Sequence, residues 1–121
     1  MESEKAHHYW EPLRVASTAT DGVTVVSVSG EIDHDSAGPL AQALASDRLG
    51  ERPRVVVDMR RVTFMDSTGI NILINAHRHL TRAAGWLRLA GTPDSILRTL
   101  QIVGIDMIIA CHPNLRDALA A

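Results

Sequence analysis

The sequence predicts an α/β domain: a mixed sheet of about five strands, mostly parallel with the first strand antiparallel, and about four helices in the order ββαβαβαβα. Three observations carry this. Short apolar runs alternate along the chain with amphipathic stretches of helical spacing, the pattern of successive βαβ units. Val55-Val56-Val57 is apolar without alternation, as in a strand covered on both faces. Asp21-Gly22 separates two strand-like runs and supplies the positive φ of a tight hairpin, which makes the first pair antiparallel.

The elements follow in order. Leu13, Val15 and Ser17 alternate with Arg14, Ala16 and Thr18, the period of a half-buried strand. Val23 to Ser29 is the second strand, with valines on both faces and so a more central place. Beyond Gly30, Ser36 is expected to cap a helix running to Leu49, with Pro39 in its first turn, a stripe of Leu40, Ala41 and Leu44, and Gly50 as its stop. Pro53 to Met59 forms the third strand. A helix spans about Ser67 to Ala84, with Ile70, Leu73, Ile74, His77 and Leu80 facing inward.

Gly85 breaks that helix and Trp86 to Ala90 is the fourth strand. Thr92-Pro93-Asp94 opens the next helix with a cap, a proline at the first position and an acid at the positive dipole end. Its buried stripe is Ile96, Leu97, Leu100 and Val103, and Gly104 stops it. Met107 to Ala110 is the last strand and Pro113 to Ala120 a terminal helix. The first ten residues, Met1 to Trp10, show no periodicity and are expected to form a loose arm before a single domain over 11–121.

Composition narrows the function. Of 121 residues 45% are hydrophobic and 21% charged, which excludes a disordered chain. The apolar runs are far shorter than the ~20 residues of a membrane span, and Met1 to Trp10 lacks the apolar core of a signal peptide. A net charge of −2 provides no electrostatic footprint for nucleic acid or an anionic membrane. Eleven of the twelve basic residues are arginine, a bias without functional content. One cysteine, Cys111, excludes an internal disulfide and fits a cytoplasmic setting. Aromatics at 3% make stacking platforms for bases or sugars unexpected.

Functional loops in such sheets gather at the carboxyl ends of the parallel strands. Phe64-Met65-Asp66-Ser67-Thr68-Gly69 lies there, before a helix whose free N–H groups and dipole favour an anion. A serine at that turn can accept a phosphoryl group without unfolding its domain, gaining about −1.5 to −2 charges. Taken singly, Asp, Ser and Thr before an apolar stripe are N-caps, and on spacing alone capping is the stronger reading. Gly69 fits capping less well, since glycine costs roughly 1 kcal/mol in a helix interior; something must approach the backbone closely there.

Two segments together resemble a known family. Val55-Val-Val-Asp-Met-Arg-Arg-Val-Thr-Phe-Met-Asp-Ser-Thr-Gly-Ile70 resembles the signature of STAS domains, specifically the bacterial anti-sigma factor antagonists, and Val28-Ser-Gly-Glu-Ile-Asp-His-Asp-Ser-Ala37 resembles the family's second marker. The resemblance runs from about Leu13 to the C-terminus. It implies a STAS fold and a phosphoprotein of transcription regulation, in stress response or sporulation, that works by partner switching. The antagonist binds an anti-sigma factor serine kinase, freeing a sigma factor; phosphorylation ends the binding, and a PP2C-type phosphatase restores it. The implied phosphorylation site is Ser67, with Thr68 as a second hydroxyl.

The expected partner-binding residues are Glu31, Asp33, His34, Asp66, Ser67, Thr68, Gly69, Asn71, Asn75 and Arg78. Glu31, Asp33 and Asp35 are placed beside Asp66, so a dianion on Ser67 would enlarge an acidic patch. Asn71, Asn75, Arg78 and Arg82 share one helix stripe, which is at least as readily an ordinary solvated face. No enzyme, cofactor or metal is expected. His77 and His79 are two apart and point to different helix faces, whereas paired ligands prefer i, i+4. No nucleophile elbow surrounds Ser67, and Cys111 reads as a small core hydrophobe. Two other readings stay open: a STAS subunit of a lipid-transport ATPase complex or a stressosome-like scaffold, and a nucleotide or small-molecule sensor using the same helix start.

Overall fold

In the computed structural model, which describes residues 12–121, the chain opens with an antiparallel hairpin of β1 (Arg14–Thr20) and β2 (Val23–Ile32). Asp21 and Gly22 turn it with φ of 51° and 81°, the pair of positive angles that matches strand twist. Then follow α1 (Gly38–Ala43), β3 (Arg54–Met65), α2 (Ser67–Arg82), β4 (Trp86–Ala90), α3 (Asp94–Ile102), β5 (Ala110–His112) and α4 (Leu115–Ala120). The expected arm at Met1 to Trp10 lies outside the described residues.

The five strands sit in the sheet in chain order, with β2 to β5 parallel. Right-handed crossovers between sequential parallel neighbours bring successive helices to one face. Val26, Val57 and Met59 from the sheet meet Leu40, Leu73 and Leu100 from α1, α2 and α3 there. The last helix covers part of the other face, where Ala118 packs with Val23, Val56 and Ala90. Arg88 secures it: its Nη1 donates to the Ala118 carbonyl at 3.0 Å while its guanidinium stacks 3.6 Å from the Trp86 ring centre. Among the described residues no helix is long and apolar enough to cross a membrane.

Several boundaries depart from expectation. Both β2 and β3 run on past Ser29 and Met59, and β3 carries two extra residues relative to β2. These bulges turn consecutive pairs, Arg60-Arg61 and Thr63-Phe64, away from the core while Met59 and Val62 stay in it. Ser36 does not cap α1. Ala37 holds that position without a side-chain bond, because the Ser36 hydroxyl is engaged within its own loop. The helix also stops at Ala43; a 3-10 turn over Ser46–Arg48 replaces its expected second half.

Thr92 does not cap α3 either. The extended Pro93 gives its carbonyl to the Leu97 N–H at 2.8 Å, which starts the helix one residue too late for Thr92 to reach it. Gly104, at φ 84°, ends the helix region and leaves Val103 exposed rather than buried. The last strand lies at Ala110–His112, not Met107 to Ala110. Ile105–Met107 is a 3-10 turn in which Ile105 and the later Ile109 point inward and Met107 and Ile108 outward.

Candidate functional site at the start of the second helix

The carboxyl ends of β2 and β3 lie side by side, Ile32 opposite Met65. The Asp66 N–H donates to the Ile32 carbonyl at 3.1 Å, which carries the ladder one residue past the strands. Asp66 is the N-cap of α2, with extended backbone. Its Oδ1 accepts the Thr68 N–H at 2.9 Å and its Oδ2 accepts the His34 N–H at 3.2 Å. One carboxylate therefore caps the helix and ties it to the β2–α1 loop. A cap of this kind contributes typically about 1 kcal/mol, and the second bond fixes how the two loops sit together.

The β2–α1 loop is organised by a second aspartate. Asp33 is 8% exposed, and its Oδ1 accepts the backbone N–H groups of Asp35 and Ser36, each at 3.0 Å. The Ser36 hydroxyl lies 2.8 Å from the same oxygen and 2.9 Å from the Glu31 carbonyl, and it accepts the Asp33 N–H at 3.1 Å. Burial of a charged group is tolerable only with such bonds in place.

Ser67 occupies the first position of α2 and is exposed; Thr68 behind it is half-buried. Gly69 is buried, and the expected close approach to its backbone is made from within the chain. A Cβ there would lie 2.5 Å from Met65 Cγ and 2.9 Å from Ile32 Cγ2. The glycine thus lets the first turn of α2 settle onto the ends of β2 and β3, which sets the height of Ser67 above the sheet.

The structure brings together Glu31, Asp33, His34, Asp66, Ser67, Thr68 and Gly69 around this junction. Asp33 and Gly69 are buried and so shape the surface from beneath; His34 and Ser67 are exposed, with Glu31, Asp66 and Thr68 half-exposed. Asn71, Asn75, Arg78 and Arg82 continue as an exposed stripe along α2. Of the expected inward stripe, Leu73 and Leu80 are buried, joined by Ala76, while Ile70, Ile74 and His77 are half-buried.

One feature of the junction escapes the pattern of the sequence. Phe64, the single phenylalanine of the chain, is 48% exposed because of the second bulge in β3. It edges a groove of about 210 Å³ lined by Met65, Ile70, Ile96 and Leu100 together with the hydroxyl-bearing Thr63, Ser95 and Thr99. An aromatic residue placed two before the cap in a polar turn was the available signal, but alternation alone puts it in the core.

Relatives share this architecture. The model of the STAS domain family matches residues 14–118. The anti-sigma-B factor antagonist of Listeria monocytogenes is 30% identical over 97 residues, 80% of this chain and 84% of that protein. The crystal structure of an anti-sigma factor antagonist from Mycobacterium paratuberculosis superposes with a TM-score of 0.79 and 32% identity, covering 89% of this chain and 92% of that one. The phosphorylated form of the Bacillus cell fate determinant SpoIIAA shares the fold at a TM-score of 0.67 and 18% identity, covering 89% and 96%. With the mixed five-strand sheet and the capped junction above, these likenesses show that the chain belongs to the STAS-domain family of anti-sigma factor antagonists.

Proposed function

We propose that this chain binds an anti-sigma factor with serine-kinase activity while Ser67 is bare, so releasing a sigma factor in the cytoplasm, and that phosphorylation of Ser67 by that partner ends the binding. A PP2C-type phosphatase then restores the bare form. The chain acts as a binding protein and carries no catalysis of its own. The observation that carries this reading is the setting of Ser67: exposed, at the first position of a sixteen-residue helix, directly after the aspartate that joins both loops. The phosphorylated form of a relative of the same fold, SpoIIAA, supports it.

The physics favours a switch in binding over a switch in folding. A phosphoryl group on Ser67 sits at the positive end of α2, which offsets typically 0.3–1 kcal/mol of its cost to the free protein. The surrounding carboxylates of Glu31, Asp35 and Asp66 oppose it, and a docked partner must exclude its water. Burying an incompletely paired charge at an interface costs several kcal/mol, enough to reverse an association. The docking face comprises Glu31, His34, Asp66, Ser67, Thr68, Asn71, Asn75 and Arg78, over the shaping residues Asp33 and Gly69, with Phe64 as an apolar anchor at its rim.

The test mixes the chain with its anti-sigma factor and ATP and follows intact mass. Addition of one phosphate is expected, abolished in Ser67→Ala and retained in Thr68→Val. Genuine phosphorylation should weaken the complex by roughly 100-fold or more, equivalent to about 2.7 kcal/mol. Equal modification of Ser67→Ala would move the site to Thr68 or end this reading.

A further inference from the structure

The second face of the sheet is covered only in part, since α4 packs over β3, β4 and β5. The helix reaches the start of β2, where Val23 and Val25 are buried, but over β1 and the later part of β2 no described helix covers the face, and Ala16, Thr18 and Ser27 are exposed. Two transverse rows of residues cross this open part. Backbone register sets Arg14, Ser29 and Arg61 side by side in one row and Ala16, Ser27 and Asp58 in the next. Residues paired across strands project to the same face, so the small side chains form a floor between taller arginines. The resulting depression has a volume of about 310 Å³, at the small end of the range for ligand sites.

The first bulge in β3 is what makes it basic, because it directs both Arg60 and Arg61 away from the core. Arg60 is already engaged: its Nε and Nη2 lie 3.2 Å from the two oxygens of Asp58, whose carboxylate is buried beneath it. Its aliphatic stem lies against Gly91, where a side chain would collide with it. That pair cancels itself. Among the described residues, Arg14 and Arg61 have no carboxylate partner. Two guanidinium groups without a carboxylate partner among the described residues thus flank the hydroxyls of Ser27 and Ser29, on a chain whose net charge is −2.

We propose that this depression binds the phosphate group of a small phosphorylated molecule. Arg14 and Arg61 contact the dianion from opposite sides, each offering the planar fork of donors that suits phosphate oxygens. Ser27 and Ser29 donate from the floor, and the Asp58–Arg60 pair forms the end wall. The two guanidinium charges match the −1.5 to −2 charges, roughly, of a phosphate monoester, and the limited volume selects a small molecule over a protein segment.

The test titrates inorganic phosphate and ribose 5-phosphate into the full chain at constant ionic strength, following backbone amide shifts. Saturable shifts at Ser27, Ser29 and Arg61 are expected, with affinity falling roughly tenfold in Arg14→Gln and in Arg61→Gln and further in the double variant. Both arginines are exposed, so the melting temperature of each variant should match that of the parent. Ser67→Ala should bind as the parent does, which separates this site from the start of α2. The proposal is overturned by any of three results: no saturation by roughly 10 mM ligand, a concentration already generous for a specific site; unchanged affinity in both arginine variants; or shifts centred on Ser67. Binding of an acidic phosphopeptide here without binding of ribose 5-phosphate would also overturn it.

Discussion

Ser36, three residues after Asp33, and Ser67, directly after Asp66, lie at the carboxyl ends of neighbouring parallel strands, yet their hydroxyls are in opposite situations. Ser36 is half-buried, and its hydroxyl lies within 3.1 Å of three groups of its own loop. Ser67 is exposed at a helix start. The aspartates differ in the same way. Asp33 spends its Oδ1 on its own loop, whereas Asp66 divides its two oxygens between helix and neighbouring loop. The first aspartate–serine set makes a rigid platform, and the second leaves the hydroxyl of the proposed phosphorylation site exposed above it. Under that proposal residue type alone does not mark a modification site; a hydroxyl left exposed beside a satisfied loop does.

The contrast depends on the height at which α2 meets the sheet, and Gly69 sets that height. Gly69→Ala would place a methyl group 2.5 Å from Met65 Cγ and 2.9 Å from Ile32 Cγ2. Overpacking of this kind costs roughly 1–3 kcal/mol, against about 1 kcal/mol gained in helix propensity. A net loss of up to about 2 kcal/mol in urea unfolding is expected. Trimming Met65 to Ala in the same chain should recover part of it, as non-additivity between touching residues requires. If Gly69→Ala were instead to stabilise by the propensity gain, the close approach would not be what holds Ser67 in place.

An effect of similar size separates the two serine–aspartate sets directly. Asp66→Ala removes a helix cap and the bond to the His34 N–H, with an expected loss of about 1–2 kcal/mol. Ser36→Ala leaves groups of the β2–α1 loop short of a partner and should cost about 1 kcal/mol. Its distinguishing readout is phosphorylation, because Ser36→Ala should still accept a phosphate on Ser67 at the parent's rate. Loss of modification in Ser36→Ala, with the fold intact by circular dichroism, would merge the two sets into one functional unit.

Much of this arrangement was legible before the structure. The Asp21-Gly22 hairpin, the span of β4 and the order of elements follow from periodicity and turn chemistry, which act locally. The capping role of Asp66 was legible as well. The bulges in β3 were not, since alternation cannot show that two successive residues, Arg60-Arg61 or Thr63-Phe64, leave the same face. Ser36 looks like a cap in the sequence because a hydroxyl before a helix has two uses, and only the fold brings the Asp33 carboxylate and the Glu31 carbonyl to it. Met107 and Ile108 read as strand because an apolar run does not reveal that only Ile105 and Ile109 are needed inside.

Cys111 supplies a third nucleophile against which the contrast can be sharpened. Its sulfur is half-buried in β5, and the thiol donates to the Ile109 carbonyl at 3.5 Å. Burial pushes its pKa above the ordinary value of 9.0, and the nearby charge of Asp106 pushes it further the same way. Because the thiolate is the reactive form, alkylation by iodoacetamide near neutral pH should run several-fold slower in the folded chain than in urea. The sign for stability follows: a raised folded pKa favours the neutral thiol, so its contribution holds at and below neutral pH and is lost as pH rises through the folded value. Asp106→Asn should speed alkylation slightly, by less than unfolding does, because burial is the larger cause. Equal rates for folded and unfolded chains would show that half-burial within β5 does not protect the Cys111 thiol, and burial would no longer separate it from the exposed hydroxyl proposed as the phosphorylation site.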